Sequence, residues 1–149
     1  MKRINQYKKL FNIDADIELS HLKKTYRTLV KLWHPDKFIE ENEKSKEAEL
    51  MSREITQGYE FLVSIAPETA KKNLDQYNEM LNNCPIVDYQ WSKQVLEVDF
   101  SNGATYEYFG VSRKLYLKFL NADNQHRFGK RNIFNKNLYR KSKSAALAV

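Results

Sequence analysis

The stretch Trp33-His34-Pro35-Asp36-Lys37 separates two helical patterns in the first half of the chain. Proline disfavours a helical conformation in the residue before it and lacks a backbone N–H, so Pro35 predicts that a helix ends near Trp33. His34 and Asp36 are then expected on an exposed turn. In that position Asp36 can accept a charge-assisted hydrogen bond from an arginine, and His34 can donate or accept near neutral pH.

Amphipathic helices are predicted on both sides of this turn, because apolar side chains recur there with the period of a helix face. The four predicted faces are Ile4, Tyr7, Leu10 and Phe11; Leu22, Tyr26, Leu29, Val30 and Trp33; Met51, Ile55, Tyr59 and Leu62; and Ala70, Leu74, Tyr77 and Leu81. Asp14 and Asp16 are predicted to cap the second helix, and Pro67 suits the first turn of the fourth.

The second predicted helix also has a cationic face. Lys23, Arg27 and Lys31 follow one another at intervals of four residues, and Lys24 flanks them. Such a face is suited to an acidic partner surface, although most charged helix faces are simply solvated. Its position directly before the tripeptide at 34–36 favours the first interpretation.

Four segments in this order carry a resemblance to a known family. They are Tyr7-Lys8-Lys9-Leu10-Phe11-Asn12-Ile13, Leu22-Lys23-Lys24-Thr25-Tyr26-Arg27-Thr28-Leu29, Trp33-His34-Pro35-Asp36-Lys37, and Ile55 with Tyr59-Glu60-Phe61-Leu62. Over residues 4–80 the chain resembles the J-domain of DnaJ-type co-chaperones. This implies an all-α domain in which the second and third helices form an antiparallel hairpin. It also implies that the connecting loop docks on a DnaK-type chaperone (heat-shock protein 70 family) and promotes ATP hydrolysis there.

The resemblance also implies a role for individual residues. Asp36 would engage an arginine of the chaperone, Pro35 would shape the loop, and the cations of the second helix would steer the encounter. The chaperone-binding residues predicted in this way are His34, Pro35, Asp36, Lys23, Lys24, Arg27, Lys31 and Lys37. Gly58 stands where the family usually has alanine, and we expect it to weaken the third helix somewhat.

The apolar period changes after Asn82-Asn83-Cys84-Pro85, a sequence that predicts a linker or turn. Alternation over residues 96–100 predicts a half-buried strand, and the aromatic stretch 106–109 favours a second. Between them Asn102-Gly103 is a strong hairpin signal. A short helix is expected near residues 115–120.

These and later residues carry a second resemblance. They are Leu96-Glu97-Val98-Asp99-Phe100, Asn102-Gly103, Tyr106-Glu107-Tyr108, Phe109-Gly110-Val111, Tyr116, Ala122, Phe128 and Tyr139. Residues 86–140 are similar to the KTSC domain. We therefore predict an α+β protein: a J-domain of two short helices and a helical hairpin over 1–81, a small α+β domain with a β-hairpin or small antiparallel sheet over 86–141, and a flexible tail over 142–149.

Positive charge is concentrated at the end of the chain. The net charge is +6, but residues 112–149 contain ten Lys or Arg and one acidic residue, a balance of +9. This allows an alternative function, in which the second domain binds RNA and the J-domain is a recruitment or structural element. The candidate residues for nucleic-acid or client binding are Tyr106, Tyr108, Arg127, Lys130, Arg131, Lys136 and Arg140. The two tyrosines share one strand face, which is either an exposed stacking platform or, the favoured interpretation, part of the core.

The leading hypothesis is a co-chaperone that is not itself an enzyme, with a DnaK-type ATPase as partner and an unknown client. The sequence shows no nucleophile–base pair, glycine-rich phosphate loop or metal-ligand cluster, so we expect no cofactor and no metal. Cys84 is the single cysteine, and neither a signal peptide nor a membrane span is predicted. We expect a cytoplasmic protein.

Overall fold

The computed structural model describes residues 2–14, 16–37 and 43–143. The chain divides into two compact units, Lys2–Thr69 and Ala70–Val149. The first is helical and the second combines a sheet with short helices, so the predicted α+β class is confirmed.

The helical unit is built on a long hairpin. Its helices are α1 (Lys2–Leu10), α2 (Leu19–Trp33), α3 (Glu43–Ile65) and the start of α4 (Pro67–Lys72), with a 3-10 turn at Pro35–Lys37. Contacts along the hairpin show that α2 and α3 run antiparallel: Leu19, at the start of α2, hydrogen-bonds Glu68 beyond the end of α3, whereas Tyr26 stacks on Tyr59. The apolar stripes predicted from the sequence supply this interface, and Leu22, Ile55 and Leu62 are fully buried in it.

The start of α2 differs from the prediction. Glu18, not Asp14 or Asp16, is the N-cap residue, and its side chain makes no capping bond. The first backbone N–H of the helix, at Leu19, instead donates to Glu68 Oε1 at 3.3 Å. A carboxylate that is distant in sequence thus serves one of the donors that a local aspartate was expected to satisfy.

A four-stranded antiparallel sheet, in the order β1-β2-β3-β4, forms the centre of the second unit. The strands are β1 (Ile86–Ser92), β2 (Val95–Phe100), β3 (Thr105–Phe109) and β4 (Tyr139–Lys143), and the helices are α5 (Leu74–Asn83), α6 (Arg113–Leu120) and α7 (Gln125–Gly129), with a π-helical turn at Lys130–Phe134. The predicted hairpin joins β2 to β3, and Gly103 has a φ of 87° in its turn, a conformation that glycine adopts without a side-chain clash.

The core of this unit includes a helix that we had assigned to the first domain. Tyr77, Met80 and Leu81 of α5 are buried in the same cluster as residues of β2 and β3, such as Leu96 and Tyr108. The predicted fourth helix is in fact two helices that are interrupted at Asn73. The second of them therefore covers the sheet of the C-terminal unit rather than completing the hairpin domain.

The predicted tail, residues 142–149, includes the end of the last strand. Ser142 and Lys143 belong to β4, where the Ser142 hydroxyl donates to the carbonyl oxygen of Thr105 at 3.2 Å. The rest of the predicted tail, residues 144–149, lies outside the described residues. Among the helices of the described ranges, none is long and apolar enough to cross a membrane.

Candidate functional site

The loop at residues 34–37, which we call the inter-helix loop, exposes the side chains of His34 and Asp36. His34 has an extended backbone (φ −60°, ψ 128°), as expected before proline, and this ends α2. The backbone N–H of Asp36 donates to His34 Nδ1 at 3.2 Å, and the N–H of Lys37 donates to the His34 carbonyl at 3.0 Å. His34 Nδ1 also lies 3.5 Å from Asp36 Oδ2. In the neutral ring in which Nδ1 accepts the backbone hydrogen bond, the hydrogen is on Nε2. The His34 side chain is 49% exposed and that of Asp36 is 91% exposed.

The cationic face of α2 leads directly to this loop. Lys23, Lys24, Arg27 and Lys31 are all exposed, as is Lys37 within the loop. The opposite side of α2 is held against α3, because Leu22 is fully buried and Tyr26 stacks on Tyr59 with ring centroids 4.1 Å apart. One side of α2 is packed against α3 and the other carries exposed positive charge. We call this exposed side, together with the inter-helix loop, the docking face.

An apolar groove adjoins the inter-helix loop. It has a volume of about 370 Å³ and is lined by Leu32, Trp33, Lys44 and Glu47. Leu32 is 58% exposed, so its side chain contributes accessible apolar surface to the groove. The sequence predicts Trp33 as the last apolar position of α2 but does not predict the groove, because the pattern of one helix does not reveal a cleft formed with the next.

In the C-terminal unit, three of the predicted cations line one cavity of about 650 Å³. We call it the cationic pocket, and its lining residues are Leu81, Asn82, Asn83, Pro85, Asn124, His126, Arg127, Lys130 and Arg131. Sequence reasoning found the cations but missed the asparagines, which come from the end of α5 and from the residue before α7. Nothing in the sequence marks these two segments as neighbours.

Comparisons with known proteins agree with this division of the chain. The DnaJ domain family matches residues 6–73, and the KTSC domain family matches residues 83–139. The chain carries a DnaJ domain followed by a KTSC domain. Over 70 residues it is 36% identical to "Chaperone protein DnaJ" of Mesomycoplasma hyopneumoniae (strain 232), an alignment that covers 46% of this chain and 18% of that protein. No solved structure gives a significant match.

The two tyrosines suggested as a stacking platform belong to the KTSC core. Tyr106 is 7% exposed and Tyr108 is completely buried, so neither can stack on a base at the surface. Burial raises the pKa of Tyr106 to about 12 and raises the pKa of Tyr77 and Tyr108 well above the ordinary value. The platform interpretation is therefore wrong, and the core interpretation of these residues is confirmed.

The remaining predicted cations are not gathered at one place. Arg140 forms an ion pair with Glu107, its neighbour across the β3–β4 ladder, and both side chains are largely buried. Lys136 is exposed and does not line the cationic pocket. Arg140 is thus a structural residue of the sheet, and the candidate binding set narrows to Arg127, Lys130 and Arg131.

Titratable side chains do not assemble into a metal site in the described part of the chain. No group of three or more His, Cys, Asp or Glu side chains there has an arrangement that could hold a metal ion. His126 instead directs Nε2 to the backbone carbonyl oxygen of Leu81, at 2.6 Å.

Proposed function

We propose that this protein is a co-chaperone that binds a DnaK-type ATPase through its J-domain and stimulates ATP hydrolysis by that partner. The observation that carries the proposal is the exposed pair His34 and Asp36, presented at the end of a cationic helix whose other side is fixed to α3. The DnaJ domain match over residues 6–73 supports it. In this proposal the chain does not hydrolyse ATP itself. It acts in the cytoplasm, a reducing compartment that suits a chain whose single cysteine cannot form an intramolecular disulfide.

Each part of the docking face has a distinct chemical task in this proposal. The exposed carboxylate of Asp36 accepts hydrogen bonds from an arginine of the ATPase, a pairing that is strong and directional. The Nε2–H group of His34 supplies a donor beside it, while Nδ1 is held by the Asp36 backbone. The cations of α2 raise the rate of encounter with an acidic surface, and the groove at Leu32 and Trp33 accepts an apolar side chain of the partner.

Single-turnover ATP hydrolysis by a DnaK-type chaperone tests the proposal directly. We expect the wild-type protein to accelerate hydrolysis and the His34→Gln variant to abolish the acceleration. His21→Gln is a matched control, because His21 is an exposed histidine on α2 and is not among the predicted chaperone-binding residues. Circular dichroism should show the same melting temperature for all three proteins. A wild-type protein that gives no acceleration, or a His34→Gln variant that accelerates as well as wild type, would contradict the proposal.

For the KTSC domain we propose a second function, the binding of RNA. The cationic pocket brings Arg127, Lys130 and Arg131 together in a cavity whose lining contains no carboxylate. That observation favours recognition of RNA through its phosphates over recognition of an unfolded client through apolar contacts. In this proposal the J-domain recruits a chaperone to the bound RNA.

A further inference from the structure

The charged side chains that line the cationic pocket are all positive. Three of its nine lining residues are Arg or Lys, three are asparagines, and one is His126. The other two lining residues are Leu81 and Pro85, and none of the nine is acidic. A concave surface of one charge focuses the electrostatic potential and concentrates ions of the opposite sign. The charge of the pocket is therefore suited to a multiply charged anion.

Two separate segments of the domain are tied together to form the pocket. Lys130 Nζ donates to Asn82 Oδ1 at 2.6 Å, and His126 Nε2 donates to the Leu81 carbonyl oxygen at 2.6 Å. Both bonds join the end of α5 to the segment around α7. The geometry thus exists before any ligand arrives, and a pre-formed site loses less entropy on binding.

Two of the three asparagines of the pocket use their oxygen atoms within the protein. Asn82 Oδ1 accepts from Lys130, and Asn124 Oδ1 accepts from the backbone N–H of Arg127 at 3.0 Å. Because an amide side chain has one acceptor and two donor positions, this arrangement leaves the NH₂ groups as donors. Together with the two guanidinium groups, they form a set of donors that matches an oxyanion rich in acceptor oxygens.

We propose that the cationic pocket is a binding site for phosphate groups, and that its ligand carries at least two of them. A single carboxylate would be satisfied by one arginine, whereas phosphate oxygens can use two guanidinium groups, an ammonium group and amide donors at once. The RNA backbone and free polyphosphates share this chemistry. The inference names the chemical group that the second proposed function would recognise. Where the ligand is RNA, it rests on that proposed function, and it does not depend on the stimulation of an ATPase.

The first experiment tests the phosphate chemistry with pyrophosphate alone. Isothermal titration calorimetry should detect binding of pyrophosphate to the full-length protein at low salt. The variant Arg127→Gln/Arg131→Gln should bind at least about tenfold more weakly, since hydrogen bonds to charged groups are lost. Arg113→Gln/Lys118→Gln is the matched control: it also removes two positive charges from exposed residues of the same domain, and it should bind like wild type.

The second experiment tests RNA as the source of the phosphates. Fluorescence anisotropy with a labelled twelve-nucleotide single-stranded RNA, over a series of KCl concentrations, measures affinity and its salt dependence. Loss of two phosphate contacts should reduce the log–log salt slope by about 1.4, because each contact to a single strand contributes roughly 0.7. The same pair of double variants is compared, and the control should keep the wild-type slope.

The outcomes separate the pocket from the RNA function. Loss of both ligands in Arg127→Gln/Arg131→Gln alone supports the inference in full. Pyrophosphate binding without RNA binding upholds the phosphate site and contradicts the RNA function. RNA binding that both double variants weaken equally overturns the pocket inference, because it would then be diffuse electrostatic attraction. Absence of pyrophosphate binding to the wild-type protein also overturns it.

Discussion

The hydroxyl of Tyr77 lies 2.8 Å from the hydroxyl of Tyr108, although one residue is on a helix and the other is on the central part of the sheet. Tyr77 also donates to the carbonyl oxygen of Phe134 at 2.7 Å, which uses its only hydrogen. Tyr108 must therefore donate to Tyr77. This chain of buried hydrogen bonds fixes α5 to β3 and satisfies both phenols without water.

These buried phenols predict a loss of stability at alkaline pH. Burial raises the pKa of Tyr106 to about 12 and raises the pKa of Tyr77 and Tyr108 well above 10, the value expected in the unfolded chain. The unfolded state therefore releases protons above pH 10 that the folded state retains. The stabilisation is complete below pH 10 and decreases as the pH rises through 10 to 12, by about 1.4 kcal/mol per pH unit for each such tyrosine.

Urea denaturation at a series of pH values between 8 and 11.5 measures this decrease. The variant Tyr77→Phe/Tyr108→Phe removes two of the titrating groups, so its free energy of unfolding should fall less steeply above pH 10 than that of the wild type. Lysine titration is common to both proteins and cancels in the comparison. Equal slopes in the two proteins would contradict the assignment of the alkaline loss to these phenols.

The position of α5 predicts where the chain can be cut. A fragment of residues 70–143 should unfold cooperatively, whereas a fragment of residues 84–143 lacks Tyr77, Met80 and Leu81 and leaves the sheet core uncovered. Burial of each such side chain contributes about 2 kcal/mol, and the sum is comparable with the whole stability of a small domain. Thermal denaturation followed by circular dichroism distinguishes the two fragments. Cooperative unfolding of the shorter one at the same temperature would contradict the prediction.

Most helices and two strands were predictable because their apolar period is a property of the local sequence. Strand β4 was not, since Tyr139–Lys143 has one apolar residue and pairs through its backbone with β3. The turn between β1 and β2 was also missed. Lys93 and Gln94 have φ values of 50° and 65°, a left-handed conformation that usually requires Asn or Gly, so the sequence carries no turn signal there.

The candidate site was predictable to different extents in the two domains. In the J-domain the loop follows a helix that a proline ends, so residues next to each other in sequence form the site. In the KTSC domain the pocket depends on Asn82 meeting Lys130 and on Leu81 meeting His126, contacts across more than forty positions. Composition identified the cations, but only the fold shows which of them share a cavity.

Replacing Gly58 tests a departure from the family pattern. Helix α3 continues through Gly58, and a Cβ there would lie 2.8 Å from Cδ1 of Tyr7 and 3.1 Å from Cε2 of Phe11. Alanine gains about 1 kcal/mol in helix propensity, but overpacking costs roughly 1–3 kcal/mol. We expect Gly58→Ala to lower the free energy of unfolding by about 1 kcal/mol, as measured by urea denaturation.

The same substitution in a Tyr7→Leu background should be neutral or stabilising, because the leucine leaves room for the added methyl group. The double-mutant cycle isolates the contact between the two positions. If Gly58→Ala stabilises the wild-type protein, the neighbouring rings yield more easily than their packing indicates, and the expectation that glycine weakens this helix would hold.

The ion pair between Arg140 and Glu107 predicts a role in folding rather than in binding. The side chains are only 17% and 11% exposed, so removal of the arginine leaves the carboxylate poorly solvated. We expect Arg140→Met to lower the free energy of unfolding by about 3 kcal/mol, and Glu107→Gln/Arg140→Met to restore part of it. Chemical denaturation measures both values. Pyrophosphate affinity of the folded Arg140→Met protein should equal that of the wild type, and a loss of affinity without a loss of stability would return Arg140 to the binding set.

The cationic face of α2 and the inter-helix loop should affect ATPase stimulation in different ways. Lys23→Gln/Arg27→Gln removes two exposed charges that steer the encounter, so it should raise the concentration needed for half-maximal stimulation by roughly three- to tenfold at low salt. The maximal rate should stay close to that of the wild type. His34→Gln should instead lower the maximal rate, because it changes the docked complex.

The salt dependence of ATPase stimulation distinguishes electrostatic steering by the cationic face of α2 from direct contacts of that face with the partner. Above about 0.3 M salt the Debye length is only about 6 Å, so long-range steering is screened and the difference between Lys23→Gln/Arg27→Gln and wild type should shrink. Lys9→Gln/Lys46→Gln removes two exposed charges elsewhere in the J-domain and should behave like wild type at every salt concentration. If the α2 variant keeps its full defect at high salt, Lys23 and Arg27 form short-range contacts in the complex, because screening leaves such contacts largely intact.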